Sequence, residues 1–358
     1  MKKLLSLILA LMLLLSACGG APAETTEPET TEPETTVPTT TVPETTEPET
    51  TEPPVVYFNP LNGEILQEPY TGRVFAVTIN NVSPALPFQG VSQADMFFEM
   101  LVNDNATRCL ALFTNITNVP SVGSIRSNRL NFNDIAVAYD AVLTHAGGSD
   151  LVLGNMNERG VDALRAESTV AGFRDQGRLN SGYAWEHCLF ATGQQMHDAA
   201  IKQEYDVTQP ADKNYGLVFA EDGTPEGGED ASKLTVYFWS KKTVLEFDQE
   251  SGKYNYYEFG DYVSDENNDQ PIAFNNVIIM KAEVNNVPYQ KAVYHVAQVQ
   301  GSGDGYFACN GKIVPIKWIH ENETDPFTFT LEDGTPLVLN QGNTYVAFAP
   351  VESDFTYE

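Results

Sequence analysis

Apolar residues along this chain repeat with different periods in different stretches, and those periods predict two regions of unlike architecture. Val74–Asn80 reads as a buried strand. Ala94–Val102 alternates, with Asp95, Phe97, Glu99 and Leu101 on one face. Asn103–Ala106 predicts a four-residue turn, and Thr107–Phe113 the returning strand. Ser127 suits the N-cap of a helix that carries Leu130, Phe132, Ile135, Ala136 and Tyr139. Ala141–His145 predicts a short strand running into Gly147-Gly148, and a further helix is expected near Gly193–Glu204. Beyond residue 233 the pattern becomes antiparallel β. Leu234–Trp239, Val244–Phe247, Tyr254–Phe259, Val277–Lys281 and Tyr294–Val299 are branched and aromatic. Turns are expected at Glu250-Ser251-Gly252, Asn310-Gly311 and Glu332-Asp333-Gly334. The fold class expected is therefore an α/β (α+β) N-terminal domain with a mixed sheet and a β-rich antiparallel C-terminal domain.

The first 56 residues have no such pattern. Lys2 and Lys3 precede a short apolar stretch, Leu4–Leu15, and then Leu15-Ser16-Ala17-Cys18. A charged start, an apolar core and small residues before a cleavage point mark a secretory signal, over residues 1–17. The apolar stretch falls short of the roughly 20 residues a spanning helix needs. Leu-Ser-Ala-Cys resembles the bacterial lipobox, which implies a lipid on Cys18 and a place on the outer face of the cell membrane. Residues 18–56 are mostly Thr, Glu and Pro, with prolines spaced five apart from Pro28 to Pro53. That composition builds no core and favours an extended stalk of roughly 100 Å, at about 3 Å per residue.

Composition divides what remains. All eight arginines lie between Arg73 and Arg178, whereas no lysine occurs between Lys3 and Lys202. Domains are expected at 57–220 and 233–358, with the polar, glycine-rich segment 221–232 as a linker or exposed loop. The net charge of −29 argues against nucleic acid as a partner, since its binders present basic patches. Cys109, Cys188 and Cys309 are odd in number and have no metal spacing, so buried free thiols are expected.

The strongest candidate for chemistry is Val122-Gly123-Ser124-Ile125-Arg126-Ser127-Asn128-Arg129. With Ser127 as cap, Arg126 and Arg129 flank a helix N-terminus, where the dipole already places about half a positive charge. Two guanidinium groups there are unfavourable unless an anion joins them, and forked N–H groups suit carboxylate or phosphate. The alternative is that both pair with Asp95, Glu99 or Asp134 and only hold the fold. A four-residue turn would put Arg108 diagonal to Glu99, as a structural ion pair or as part of the site. His145 ends a strand before a glycine turn and His187 lies in Trp185-Glu186-His187-Cys188; each suits either a general base or a structural role. Gly301-Ser302-Gly303-Asp304-Gly305 lies between predicted strands, with no helix following to hold phosphate. Asp265–Asp269 lacks the glycine and glutamate of a calcium loop.

At these residues the sequence resembles the YerB family of bacterial lipoproteins. The resemblance runs through Ala76–Asn81, Gln93-Ala94-Asp95 with Glu99, Thr107-Arg108 and Val122–Arg129. It continues through His145–Ser149, Phe173-Arg174-Asp175 and His187-Cys188-Leu189, and later through Gly301–Tyr306 and Leu339–Gly342. Cys188 and Asn128 depart from the asparagine and alanine usual there. The resemblance implies an α/β N-terminal domain, a β-rich C-terminal domain and surface attachment, but no reaction, no catalytic residue and no cofactor or metal.

The expected function is a surface binding module for an anionic envelope ligand, such as an envelope glycan or a small carboxylate. Arg126, Arg129, Ser127, Arg108, Asp95, His145, Ser149, Arg174 and His187 are its candidate residues. The alternative is a metal-assisted phosphotransferase or hydrolase on phosphorylated envelope precursors, similar in layout to LytR-CpsA-Psr enzymes, in which Asp95 helps hold a metal and the arginines grip pyrophosphate. The chain alone names no protein partner.

Overall fold

The computed structural model describes residues 55–358 apart from Thr169; the signal segment, Cys18 and nearly all of the stalk lie outside the described residues. Nine strands organise the rest: β1 (Phe75–Asn80), β2 (Met96–Asn103), β3 (Ala106–Phe113), β4 (Val142–His145), β5 (Ala163–Arg165), β6 (Asn276–Ala282), β7 (Gly301–Cys309), β8 (Lys312–His320) and β9 (Thr344–Pro350). They form most of one mixed sheet in the order β8-β7-β6-β9-β2-β3-β1-β4-β5. β9 runs parallel to β2 on one side and to β6 on the other, which joins the N-terminal and C-terminal regions edge to edge. Every residue of β9, Thr-Tyr-Val-Ala-Phe-Ala-Pro, is buried, as expected of a parallel strand covered on both faces.

Helices cover one face. Phe98 of β2 and Phe348 of β9 meet Tyr139 and Phe327, and helix α1 (Leu130–Ala138) adds Phe132 and Ile135 to that layer. A six-stranded antiparallel sheet that includes Lys233–Phe238, Lys241–Asp248 and Lys253–Glu258 covers the other face, where Phe97, Tyr256, Phe274 and Tyr345 pack ring to ring. Because β2 and β3 are buried on both faces, their apolar residues form nearly continuous runs.

Several expectations need correction. The β2–β3 turn has two residues, Asp104 and Asn105, with φ of 54° and 55°, and the register shifts between Leu101 and Asn103. Met100, not Leu101, therefore opposes Arg108, while Glu99 opposes Cys109 on the other face. The expected Glu99–Arg108 pair does not form. Gly301–Gly305 is not a connection but the first half of β7. A side chain at Gly303 would strike the Trp318 ring at 2.6 Å, and one at Gly305 the Ile279 carbonyl at 2.4 Å. Segment 221–232 holds a short strand, Glu229–Asp230, paired with β8, and Gly223 packs against the Asn340 backbone. Asp265 is buried, accepting from the amides of Gly90, Ser92 and Asn267. The three cysteines are free and buried.

Between the sheets lies a buried charge trio. Lys241 bridges Glu99 and Glu258, and Thr243, Tyr256 and Asn81 bond to both carboxyls. Tyr345 of β9 donates to Glu99 at 2.8 Å, and Thr107 donates at 2.6 Å. Lys241 and these donors hold Glu99 below the usual carboxylate range although burial acts against it, whereas burial and the Glu99 charge push Glu258 up. Glu258 is therefore the more readily protonated of the two carboxyls. Glu99→Gln removes the Lys241 partner held more firmly in its charged form and should cost about 3–5 kcal/mol. Glu258→Gln should cost less than Glu99→Gln, because its carboxyl is the more readily protonated. Urea unfolding of both variants at neutral pH checks this ordering; equal losses would contradict it.

Candidate functional site

Segment Val122–Arg129 is laid across the end of β1 and the turn after β4. Asn80 donates its amide to Ser124, Arg126 donates to Thr78, and Ile125 donates to Leu189. Ala146 and Asn128 close the other side through bonds to Arg126 and Gly147. The path is thus fixed by main-chain bonds, and the arginine side chains project from it.

Ser127 is not the cap of α1. Arg129 occupies the N-cap position, its amide donating to the Asn128 side chain at 2.7 Å. Arg129 also donates to Asn103 Oδ1 at 2.8 Å and to the Asn128 carbonyl at 2.8 Å, and lies 5.6 Å from the centre of the Tyr294 ring. Tyr294 belongs to the hairpin Val284–Tyr289/Ala292–Ala297, so the C-terminal region completes this side of the site. Arg108 reaches in from β3 and donates to the Ser127 carbonyl at 2.7 Å. Arg174 donates to the Trp185 carbonyl at 2.8 Å and stacks 4.5 Å over its ring, which is 60 % exposed. His187 accepts from Asn80 at 2.9 Å through Nδ1, which leaves Nε2–H as a donor.

The electrostatics centre on Arg126. Burial and the charges of Arg129 and Arg126 depress Arg108 well below its ordinary range, and burial with Arg126 brings Arg129 down to about 10. Burial first, and then Arg126 among its neighbours, lowers Arg174 and His187 as well. Arginine does not lose its proton in proteins, so these shifts register first the cost of burying cations and then their mutual repulsion. The other four arginines differ. Arg73 pairs with Asp140 and Asp162, Arg159 with Asp134 and Glu323, Arg165 with Glu167, and Arg178 with Glu266. Among the described residues Arg108, Arg126, Arg129 and Arg174 form no ion pair, and the Nε groups of Arg126 and Arg129 are buried without a protein partner.

The remaining candidates fall in two places. His145 lies under the turn, its Nδ1–H on the Gly147 carbonyl at 2.9 Å, and burial lowers its pKa; Nε2 is buried without a partner. Ser149 takes the N-cap position of α2 (Asp150–Glu158) with its hydroxyl unpartnered. Asp95 is elsewhere. It lies at the opposite end of the β2–β3 hairpin, roughly 25 Å away for eight strand residues. There it accepts from Asn59, Asn62 and the amide and hydroxyl of Thr114, so it takes no part with the arginines. Sequence reasoning missed Asn103, Asn80 and Tyr294; the last is 165 positions from Arg129 and carries no local signal.

The profile described as "Protein of unknown function (DUF3048) N-terminal domain" matches residues 61–206, and its C-terminal counterpart matches 234–346. The chain belongs to this family. YerB of Bacillus subtilis (strain 168), named a lipoprotein, is 23% identical over 303 residues, covering 81% of this chain and 86% of that protein. The crystal structure of YerB from Bacillus subtilis superposes with a TM-score of 0.73 at 21% identity, over 84% of this chain and 99% of that one. That likeness shows the fold. The family match spans both regions, so the joint sheet and the segment bearing Arg126 and Arg129 lie within one family architecture.

Asp95 provides a pH test of this geometry. Burial raises its pKa to about 6, with the Glu64 charge adding and the Thr114 donors opposing. A carboxyl whose folded pKa is raised favours the folded state when protonated, so its contribution falls as pH rises from about 4 through 6. Measured against Asp95→Asn, wild-type stability should fall by about 3 kcal/mol between pH 4 and 7. Denaturant titrations across that range check the slope; an opposite slope would mean the four donors outweigh burial.

Proposed function

We propose that this family member is an envelope-anchored binding module that holds an anionic ligand among Arg108, Arg126, Arg129 and Arg174. One observation carries the reading. In a chain of net charge −29, four arginines gather without a carboxylate partner among the described residues, while the other four each have one. An anion at this place would relieve the repulsion, meet the unpartnered guanidinium N–H groups and lie near the first amides of α1. Trp185, stacked under Arg174, offers a flat apolar wall beside the charge. The carboxylate or phosphate of an envelope glycan fits these features in type.

The anchor belongs to the same reading. A lipid on Cys18, after removal of residues 1–17, would hold the chain on the outer face of the membrane, with residues 18–56 as spacer. Such a ligand would then be met outside the cytoplasm.

Two experiments test these claims. Arg126→Lys with Arg129→Lys should weaken pyrophosphate binding about tenfold in calorimetry, because point charges replace forked donors, while the melting temperature shifts little. A large loss of stability with unchanged binding would favour a purely structural pair. Separately, Cys18→Ala should move the protein from the membrane fraction into the soluble one and remove an acyl mass from the mature chain. Retention in the membrane would contradict lipid anchoring.

A further inference from the structure

A concave surface lies at the far end of the β2–β3 hairpin. It consists of two clefts, of about 580 and 520 Å³, that share Ser92, Gln93 and Lys253 and so form one groove. Each falls within the range of ordinary ligand sites, roughly 300–1,000 Å³. Residues 59–70, 92–95 and 114–119 supply one wall; residues 248–275 with 342–343 supply the rest.

The lining is unusual for so acidic a chain. Ten amide side chains face the groove against three carboxylates, Glu64, Asp95 and Asp248. Two of those carboxylates are already engaged. Asp95 accepts from Thr114, Asn59 and Asn62, and Asp248 accepts from the amides of Glu250 and Ser251. Only Glu64 and Lys253 bring uncommitted charge, of opposite sign. The groove therefore selects neither an anion nor a cation.

Some amides build the walls and others are free. Asn343 is committed at both ends, to the Asn275 amide and the Ala273 carbonyl. The side chains of Asn118, Asn255 and Asn275 have no protein partner among the described residues, and each offers a donor and an acceptor. Asn275 is held in place by close approach: a side chain at Gly342, where φ is +122°, would fall 2.1 Å from its Oδ1. Glycine at 342 thus lets an uncommitted amide lie against the backbone at the groove wall. In the second cleft Tyr262 is 46 % exposed and offers a ring face.

From this geometry we infer that the groove binds a neutral oligosaccharide, several sugar rings long, bearing hydroxyl or acetamido groups. Amides match both functions of a hydroxyl and both ends of an acetamido group, and an exposed tyrosine ring suits the C–H face of a sugar. The continuity of the two clefts calls for an extended ligand. The few apolar lining residues, Leu66, Val119 and Pro271 among them, give no pocket for the side chains that anchor a peptide. This site stands apart from the arginine cluster and does not depend on it.

Calorimetry with the full chain tests the assignment, using the β-1,4-linked tetramer of N-acetylglucosamine, maltotetraose and a neutral tetrapeptide as probes. Saturable binding of at least one oligosaccharide is expected. Asn118→Ala with Asn275→Ala, and separately Tyr262→Ala, should each weaken it about tenfold or more with the melting temperature unchanged. Arg126→Lys with Arg129→Lys should leave it unaffected, which separates failure here from failure of the anion site. The inference is overturned if neither oligosaccharide binds at millimolar concentration, if binding ignores the groove substitutions, or if the tetrapeptide alone binds.

Discussion

The insertion of β9 between β2 and β6 is the constraint on which the rest of the structure depends. A strand from the last fifteen residues of the chain pairs in parallel with one that begins at residue 96. Its burial on both faces leaves no surface from which it could easily be displaced. Once β9 is in place, the C-terminal hairpin carrying Tyr294 lies against β2 and reaches Arg129, and the loop carrying Gly342 and Asn343 meets the one carrying Asn62. The arginine cluster and the amide-lined groove are each built from both family segments for this reason.

The Glu99–Lys241–Glu258 trio lies across the same junction. Apolar layers alone would hold β2 against the antiparallel sheet, but they would tolerate sliding. A buried ammonium that must meet two carboxyls, with Tyr345 of β9 adding its hydroxyl, admits a single register. Arg178 acts similarly at the rim. It is 4 % exposed, donates to the carbonyls of Ala85 and Pro87, and pairs with Glu266 of the C-terminal region. Asp265 next to it ties down Gly90 and Ser92. Buried ionic groups of this kind add little net stability, and their value here is in fixing how the two regions meet.

Much of this was legible in the residues, and the failures have physical causes. Strands such as β1, β3 and β6 announce themselves through branched and aromatic runs, and the Asn310-Gly311 turn through its dipeptide. β9 is not among the expected strands, because two alanines and a closing Pro350 dilute its branched and aromatic residues. The glycine-rich half of β7 looked like a loop because the reason for its glycines, the Trp318 ring and the Ile279 carbonyl, lies on neighbouring strands. One bulge near Val102 put Arg108 on the face opposite Glu99, since a shift of one residue turns every side chain over. Spacing brings out Arg126 and Arg129, whereas Arg108 reaches them through a register other than the expected one and Asp95 stays at the far end of the hairpin. Both flank the same hairpin, and sequence proximity does not say at which end each lies.

The charge distribution gives the arginine cluster its character. At physiological salt, fields between exposed charges fade over about 8 Å, so the chain's overall negative charge acts weakly on a compact group that has entered the site. A polyanion is different, because its many charges face the acidic surface as well as the four arginines. If the cluster holds an anion as proposed, it would take one carboxylate or phosphate more readily than anionic lipid or nucleic acid. Guanidinium repulsion around Arg126 sharpens the contrast, because each added negative contact is shared by Arg108, Arg129 and Arg174 together. On the proposed reading, a site left electrically unbalanced within an acidic protein would discriminate by the size of the anion as well as by its sign.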